Sequence, residues 1–222
     1  ILDGNGRWAK AKGMPRNYGH TMGAKNVETI CRACHDMGIK YLTVYAFSTE
    51  NWSRPDDEVS ALMKLLRSYL KTCFQTAKTN DMCIRVIGDI SRLDDDLQDT
   101  IVRLEAATAS YSGLYFQIAL NYGSRDEIIR AVNSLVEDRD AGRTSGRITE
   151  EMLSSRLDTK GIPDPDLLIR TSGEERLSNF LLWQCAYTEF YFTDVHWPAF
   201  GKEELQKAVE SYSERNRRYG GI

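Results

Sequence analysis

Within its first eight residues the chain brings together a carboxylate, two glycines, an arginine and an indole, in Asp3-Gly4-Asn5-Gly6-Arg7-Trp8. Glycines at this spacing let main-chain N–H groups turn toward an anion, and the rigid arginine fork suits phosphate oxygens. The chemistry this allows is a diphosphate cradle with a metal-binding carboxylate at its lip. Taken alone, the stretch also fits a glycine-rich turn without ligand. Gly4-x-Gly6-x-x-Ala9 formally meets the dinucleotide fingerprint too, but Glu28, at the right distance for the ribose acid, falls inside a helical pattern. A second anion-binding candidate is Arg170-Thr-Ser-Gly-Glu-Glu-Arg176-Leu-Ser178, with two arginines, a glycine between them and nearby hydroxyls. By itself it fits an exposed loop equally well.

Further chemistry-bearing residues lie between these two. Ser48-Thr49-Glu50-Asn51-Trp52-Ser-Arg54-Pro55 is a polar loop that directly follows an apolar run. Glu189 is a lone acid among aromatics, and such a group must be exposed, neutralised by an arginine, or near a metal. Asp95-Asp96-x-x-Asp99 resembles the aspartate-rich signature of trans-type prenyl synthases. No second such motif exists, and the run opens a helix striped by Leu93, Leu97, Ile101, Leu104 and Thr108, so it reads as a solvated helix start. Cys31-x-x-Cys34 lies on the apolar stripe Val27, Ile30, Cys31, Cys34 and reads as core rather than as a redox or zinc pair.

The elements that must position these groups alternate. A helix is expected from Met22 to Met37, a buried strand at Tyr41–Phe47, and a long helix after Asp56-Asp57-Glu58, whose acids suit the positive end of its dipole. Val59, Leu62, Met63, Leu65, Leu66, Tyr69, Leu70, Cys73 and Phe74 make that helix apolar around more than one face, as in a core helix or the wall of a greasy cavity. Strands follow at Cys83–Gly88 and Leu114–Leu120. Ser124 then caps a helix carrying Ile128, Ile129, Val132, Leu135 and Val136. Gly142 to Gly146 is a polar loop, residues 149–157 form a short helix, and apolar runs at Leu167–Ile169, Phe180–Trp183 and Glu189–Phe192 precede a final helix from Glu203 to Arg218 with a basic end closed by glycine. This alternation predicts an α/β fold: a single domain over residues 1–222, with a mostly parallel central sheet flanked by helices.

The 222 residues are enough to bury a core without staples. The net charge of −3 supplies no global basic field for nucleic acid, so anion sites must be locally basic. No apolar run reaches membrane-span length, no secretory leader is expected, and five cysteines suggest reduced thiols in a cytoplasmic protein. The chain opens on its motif without a methionine, and a strand entering Asp3 is expected to lie mostly upstream.

Taken together, Asp3-Gly-Asn-Gly-Arg-Trp8, Arg16, Gly19-His20, Ala46-Phe-Ser-x-Glu-Asn-Trp-x-Arg-Pro55 with Glu58, Ile169-Arg-Thr-x-Gly-Glu174 with Arg176 and Ser178, and Glu189 resemble the cis-prenyltransferases. The resemblance spans nearly the whole chain in the family's order and is nearest to bacterial undecaprenyl diphosphate synthase. It implies a homodimer with an apolar tunnel between sheet and helices. It also implies Mg2+-dependent addition of isopentenyl diphosphate, with cis geometry, to an allylic diphosphate such as farnesyl diphosphate, for a cell-envelope carrier delivered to the membrane. A short-chain synthase, or a non-catalytic partner subunit of the same fold, is the alternative.

By the same resemblance Asp3 and Glu189 hold the metal, and Gly4, Asn5, Gly6, Arg7, Trp8, Arg16 and His20 hold the allylic diphosphate. Arg170, Arg176 and Ser178 hold isopentenyl diphosphate. Ser48, Thr49, Glu50, Asn51, Trp52, Arg54 and Glu58 belong to a mobile loop that positions the substrates. Asp3, His20, Asn51 and Arg54 are its catalytic set, Leu114 the tunnel floor, and the enzyme is expected in the cytoplasm, peripheral to the membrane surface. Two positions depart from the family pattern: Leu2 stands for a methionine and Ser172 for a glycine, with only local effects expected.

Overall fold

Among the described residues, five strands, each paired in parallel, carry the candidate site at their C-terminal ends. A computed structural model describes residues 1–215. Strands β1 (Tyr41–Ser48), β2 (Met82–Ile87) and β3 (Leu114–Tyr122) form one sheet in the order β1-β3-β2, and β4 (Leu167–Thr171) and β5 (Glu189–Thr193) form a second, two-stranded sheet. The expectation of one central sheet is therefore met by two pieces. Ile1–Asp3 lie against β4, where the Ile1 backbone N donates to Ile169 O at 2.6 Å and the Asp3 N–H to Thr171 Oγ1 at 3.0 Å. Between β1, which pairs only with β3 among the described residues, and β4 runs a groove of about 410 Å3 lined by Tyr41–Val44 and Leu167–Ile169.

The helices are α1 (Asn5–Ala11), α2 (Arg16–Asp36), α3 (Asp56–Thr79), α4 (Asp95–Thr108), α5 (Ser124–Asp140), α6 (Glu150–Ser154) and α7 (Lys202–Ser213). The main core packs α2, α3 and α4 on one face of the three-stranded sheet, through Ile30, Leu70, Leu104, Phe116 and Ile118. A second cluster on the other face joins Ile87, Ala119 and Tyr122 to Leu168, Phe180 and Leu181. β3, the central strand, is buried on both faces, and this is why its sequence is a continuous rather than an alternating apolar run. Cys31 and Cys34 are buried in the main core, and burial pushes the Cys34 thiol up to about 12, as their place on the apolar stripe requires.

Three expected boundaries change. α2 starts at Arg16 rather than Met22, because Gly19 and Gly23 and the polar residues around them hide its first two turns from an apolar-period reading. Ser124 is the first residue of α5, not its cap, which is Gly123; its hydroxyl instead accepts the Leu182 N–H at 2.9 Å. The last helix ends at Ser213, and the expected basic end from residue 216 onward lies outside the described residues. The Asp94–Asp99 run opens α4 as expected, and Asp94 and Asp96 pair with Arg67 of α3 on the surface.

Gly19 and Gly23, four apart on one face of α2, determine where α1 lies. A Cβ on Gly19 would come within 2.0 Å of Asn5 O, and one on Gly23 within 2.1 Å of Asn5 Oδ1. Each mid-helix glycine costs about 1 kcal/mol relative to alanine, a cost offset here by bringing the first turn of α1 directly onto α2. Gly19→Ala is therefore expected to destabilise the protein by about 1–3 kcal/mol through overpacking, read as a lowered midpoint in urea unfolding, whereas Gly201→Ala, with open space around its Cβ and a negative φ, leaves that midpoint nearly unchanged.

Candidate active site

The opening motif and the second anion candidate, 167 positions apart, meet at the C-terminal end of β4. Arg170 is 4% exposed; its Nη2 lies 3.1 Å from Asp3 Oδ2, and its Nη1 donates to Ser178 Oγ at 2.8 Å and to Arg176 O. Thr171 Oγ1 donates to Asp3 O at 2.7 Å while accepting the Asp3 N–H, which fixes the carboxylate's backbone from both sides. Asp3 Oδ1 accepts the Gly4 N–H at 2.7 Å and faces Arg7 Nη2 at 3.3 Å. Burial works against its charge, but the hydrogen bonds from Arg170 and Gly4 prevail, and the Asp3 carboxyl is held below its usual range.

Arg7 turns toward the second loop as well, donating to Ser172 O at 2.9 Å and pairing with Glu174 at 3.2 Å. Ser172 occupies the left-handed region at φ 80°, a conformation glycine adopts at least cost, and its hydroxyl meets His196 Nδ1. Gly4, at φ 96°, passes so close that a Cβ would lie 1.9 Å from Ser172 Oγ.

Across the motif, Glu58 of α3 gathers the cations. Its Oε1 lies 2.8 Å from Arg54, 3.2 Å from Arg16 and 3.8 Å from His20 Nε2. Burial lowers the His20 pKa, only partly opposed by Glu58, so the ring is neutral at pH 7, and its buried Nε2 has no hydrogen-bond partner. Asp3, Gly4, Asn5, Gly6, Arg7, Arg16, His20 and Arg54 line a polar cavity of about 510 Å3. Lys10 and Met14 line it too. Sequence reading had not marked them, although Lys10 stands three residues after Arg7 and so on the same helical face.

A second, apolar cavity of about 120 Å3 opens between α2, α3 and the sheet, walled by Val27, Leu62, Leu66, Tyr69, Ile118 and Leu120 among others. Leu2, Asn5 and His20 line both cavities. Leu114, the expected floor, is fully buried two pleats before Ile118 on the same strand face, packed in the core beyond this cavity.

The remaining expected site residues divide. Arg176 and Ser178 stand at the exposed mouth beside Arg170, with Arg176 paired to Glu174. The loop Thr49–Ser53 forms a 3-10 turn closed by a capping box, in which Asn51 Oδ1 accepts the Ser48 N–H at 3.1 Å. Asn51 thus orders the turn rather than lining either cavity. Glu50 accepts from Asn179 Nδ2 at 2.9 Å, and Trp52 packs edge-on against Phe47. Trp8 stacks on Tyr18 outside the cavity. Glu189 is not brought to Asp3: it opens β5 opposite Leu167, three positions before the Arg170 level, and pairs with Arg215 at 2.6 Å.

A phosphate-sized basic cavity joined to an apolar one suits an amphiphile with an anionic head. The undecaprenyl diphosphate synthase family model matches residues 1–220. The chain belongs to this family of cis-prenyltransferases. It is 50% identical to the isoprenyl transferase of Clostridium perfringens (100% of this chain, 88% of that protein) and 51% identical to that of Agrobacterium fabrum (100% and 90%). Its fold matches lavandulyl diphosphate synthase from Lavandula x intermedia in complex with dimethylallyl diphosphate, at TM-score 0.96 and 37% identity over 99% of this chain and 95% of that one. It also matches a probable undecaprenyl diphosphate synthase from Campylobacter jejuni, at TM-score 0.81 and 36% identity over 90% and 92%.

Because Glu58 raises the His20 pKa while burial lowers it, Glu58→Gln is expected to depress that pKa further. The imidazole shifts in an NMR titration read this directly, and a His20 pKa that rises in the variant contradicts the assigned electrostatics. In the wild type the unfolded chain takes up its proton first as the pH falls through the ordinary histidine value of 6.5, so the His20 contribution to stability is lost toward acid pH.

Proposed function

We propose that this prenyltransferase adds isopentenyl diphosphate units to an allylic diphosphate such as farnesyl diphosphate, with Mg2+, to make a long-chain polyprenyl diphosphate. The observation that carries the reading is the continuity of the two cavities: the arginine-lined one fits a diphosphate, and Leu2, Asn5 and His20 lead from it into the apolar one, which fits the hydrocarbon. The Arg170, Arg176 and Ser178 cluster, on the other side of Asp3, supplies a second diphosphate site. Two diphosphates facing one carboxylate are what a condensation of two prenyl diphosphates requires.

The donor set fits magnesium. A carboxylate offers about four lone-pair sites; Gly4, Arg7 and Arg170 engage three on Asp3, whose side chain is 30% exposed at the cavity. Mg2+ keeps waters and phosphate oxygens as ligands, so one protein carboxylate suffices, and when bound it neutralises charge on the departing diphosphate. Glu189, paired to Arg215 at the far end of β5, has no part in that set within one chain.

The chain's own groups do the rest. As the allylic C–O bond breaks, the bonding pair leaves with the diphosphate, and its growing charge meets Arg7, Arg16, Arg54 and the N–H groups of the first turn of α1, which are held in place before reaction. The isopentenyl double bond forms the new C–C bond at the allylic carbon, and a proton is then lost next to it. Neutral His20 at the neck adds a polar atom without a further cation beside the developing carbocation. The apolar walls exclude water from that carbon.

A second reading, a short-chain product, is favoured by cavity size. A cavity of about 150 Å3 accommodates benzene, so 120 Å3 holds about one five-carbon unit. The long-chain reading draws on α3, whose cavity-facing Leu62, Leu65, Leu66 and Tyr69 are only half-buried and so can give way. A homodimer at the cytoplasmic face of the membrane completes the proposal; among the described residues no helix is long and apolar enough to cross a membrane.

Incubation with farnesyl diphosphate, isopentenyl diphosphate and Mg2+, followed by mass analysis of the products, is expected to give a polyprenyl ladder. Absence of any condensation defeats the proposal, and products of twenty carbons or fewer favour the second reading. Asp3→Ala is expected to lower kcat by at least about a hundredfold, on the scale of a lost transition-state contact, in a protein that still folds but at reduced stability, because Arg170 loses its carboxylate partner. Arg176→Ala is expected chiefly to raise KM for isopentenyl diphosphate, leaving KM for the allylic substrate near its wild-type value.

A further inference from the structure

Asn121, at the C-terminal end of β3, plays no part in either cavity, yet it is 1% exposed and its side chain is fully engaged. Its Oδ1 accepts the Trp52 Nε1–H at 2.7 Å, and its Nδ2 donates to Asp89 O at 2.6 Å. The residue sits at φ 44°, a left-handed conformation that asparagine tolerates better than most residues. The same Asp89 begins the turn that carries Arg92, whose guanidinium lies 5.0 Å from the Trp52 ring centroid. Trp52 is therefore held at three points: by Asn121 at its N–H, by Phe47 edge-on at 5.1 Å, and by Arg92 over its ring.

Only the first of these is directional. Ring stacking and cation–π contacts tolerate sliding, whereas this part-buried indole N–H has a single well-aligned acceptor, and losing a hydrogen bond of that kind costs about 1 kcal/mol. Trp52 lies in the Thr49–Ser53 turn between Asn51 and Arg54, and Arg54 points back to Glu58 on the polar cavity. Gly123, two residues beyond Asn121 at β3's exit, is pressed by the same turn, since a Cβ there would lie 2.5 Å from Thr49 Oγ1.

The geometry points to Asn121 as a positioning residue that seats Trp52, and through it holds the Thr49–Ser53 turn so that Arg54 stands at the diphosphate cavity. Its effect on turnover rests on the prenyl-transfer reading proposed above; the seating contact itself does not. A purely backbone role is distinguishable, because glycine accepts φ 44° freely while deleting the amide.

The test compares wild type, Asn121→Gly, Trp52→Phe and the double variant by amide hydrogen exchange and by condensation kinetics. Each single change is expected to speed exchange of the residue 49–54 amides while the β3 amides stay protected, and to lower kcat/KM about tenfold, the effect of one lost hydrogen bond. Because both remove the Trp52–Asn121 bond, and Asn121→Gly also removes the bond to Asp89 O, the double variant is expected within about threefold of the more impaired single variant. Wild-type exchange at residues 49–54 in Asn121→Gly, or a double variant about a hundredfold down, overturns the proposal. If Asn121→Gly does not fold, Trp52→Phe decides it by exchange alone, and unchanged exchange there overturns it. A wild-type protein without condensation activity defeats the functional reading but not the seating, which the exchange data still decide.

Discussion

Everything at this site depends on one ion pair, Asp3–Arg170, that joins segments 167 positions apart. Arg170 is nearly fully buried, and Asp3 is its only carboxylate partner among the described residues. Breaking such a pair from one side leaves an uncompensated charge in a poor solvent, a cost of about 3–5 kcal/mol. Nη1 of the same fork donates to Arg176 O and Ser178 Oγ, which folds the second loop back over the first, while the buried Nε has no partner. A single guanidinium thus sets the separation of the two anion-binding segments, and Thr171, next along β4, fixes the backbone of Asp3 from the same strand. The separation of the two anion-binding segments is a property of β4, not of either loop.

The carboxylates in an otherwise anion-binding site follow from the same economy of charge. With no diphosphate present, Arg7, Arg16, Arg54 and Arg176 would repel one another, and each pairs with Asp3, Glu58 or Glu174. These pairs keep the forks near their working orientation, so that little reorganisation remains when a more densely charged diphosphate arrives. Keeping His20 neutral by burial avoids adding a further cation to this set. The net charge of the protein is immaterial to the site; what matters is that the acids are ion-paired with the arginines they orient.

Much of this could be read from the sequence because it is written locally. The glycine-rich opening, the strand-end loops and the arginine pair at positions 170 and 176 each carry their chemistry within about ten residues, and parallel strands ensure that such loops gather at one end. What escaped was set by distant contacts. Ser124 has the composition of a cap, but the Leu182 N–H claims its hydroxyl. The start of α2 is masked by Gly19 and Gly23, whose purpose shows only when α1 lies across them. Glu189 is placed by the β4–β5 register, which no local pattern encodes, and so falls at the opposite end from Asp3. Asn121 reads as a strand-end turn residue, and only its side-chain partners reveal Trp52.

The apolar cavity brings these threads to the question of chain growth. Its lower wall is well-packed core: Phe116 and Leu114 are fully buried on the strand face that carries Ile118 and Leu120. Its outer wall is α3, where fully buried Leu70 and Cys73 alternate with half-buried Leu62, Leu66 and Tyr69. Displacing the first set forfeits tight packing, while displacing the second exposes surface that is already partly wet. A hydrocarbon lengthening from the neck at Asn5 and His20 therefore meets less resistance along α3 than toward Leu114. The strain of accommodating each added unit falls on the helix whose first turn carries Glu58, and Glu58 orients Arg16 and Arg54. On the proposed reading, product length and head-group binding are in this way mechanically connected through α3.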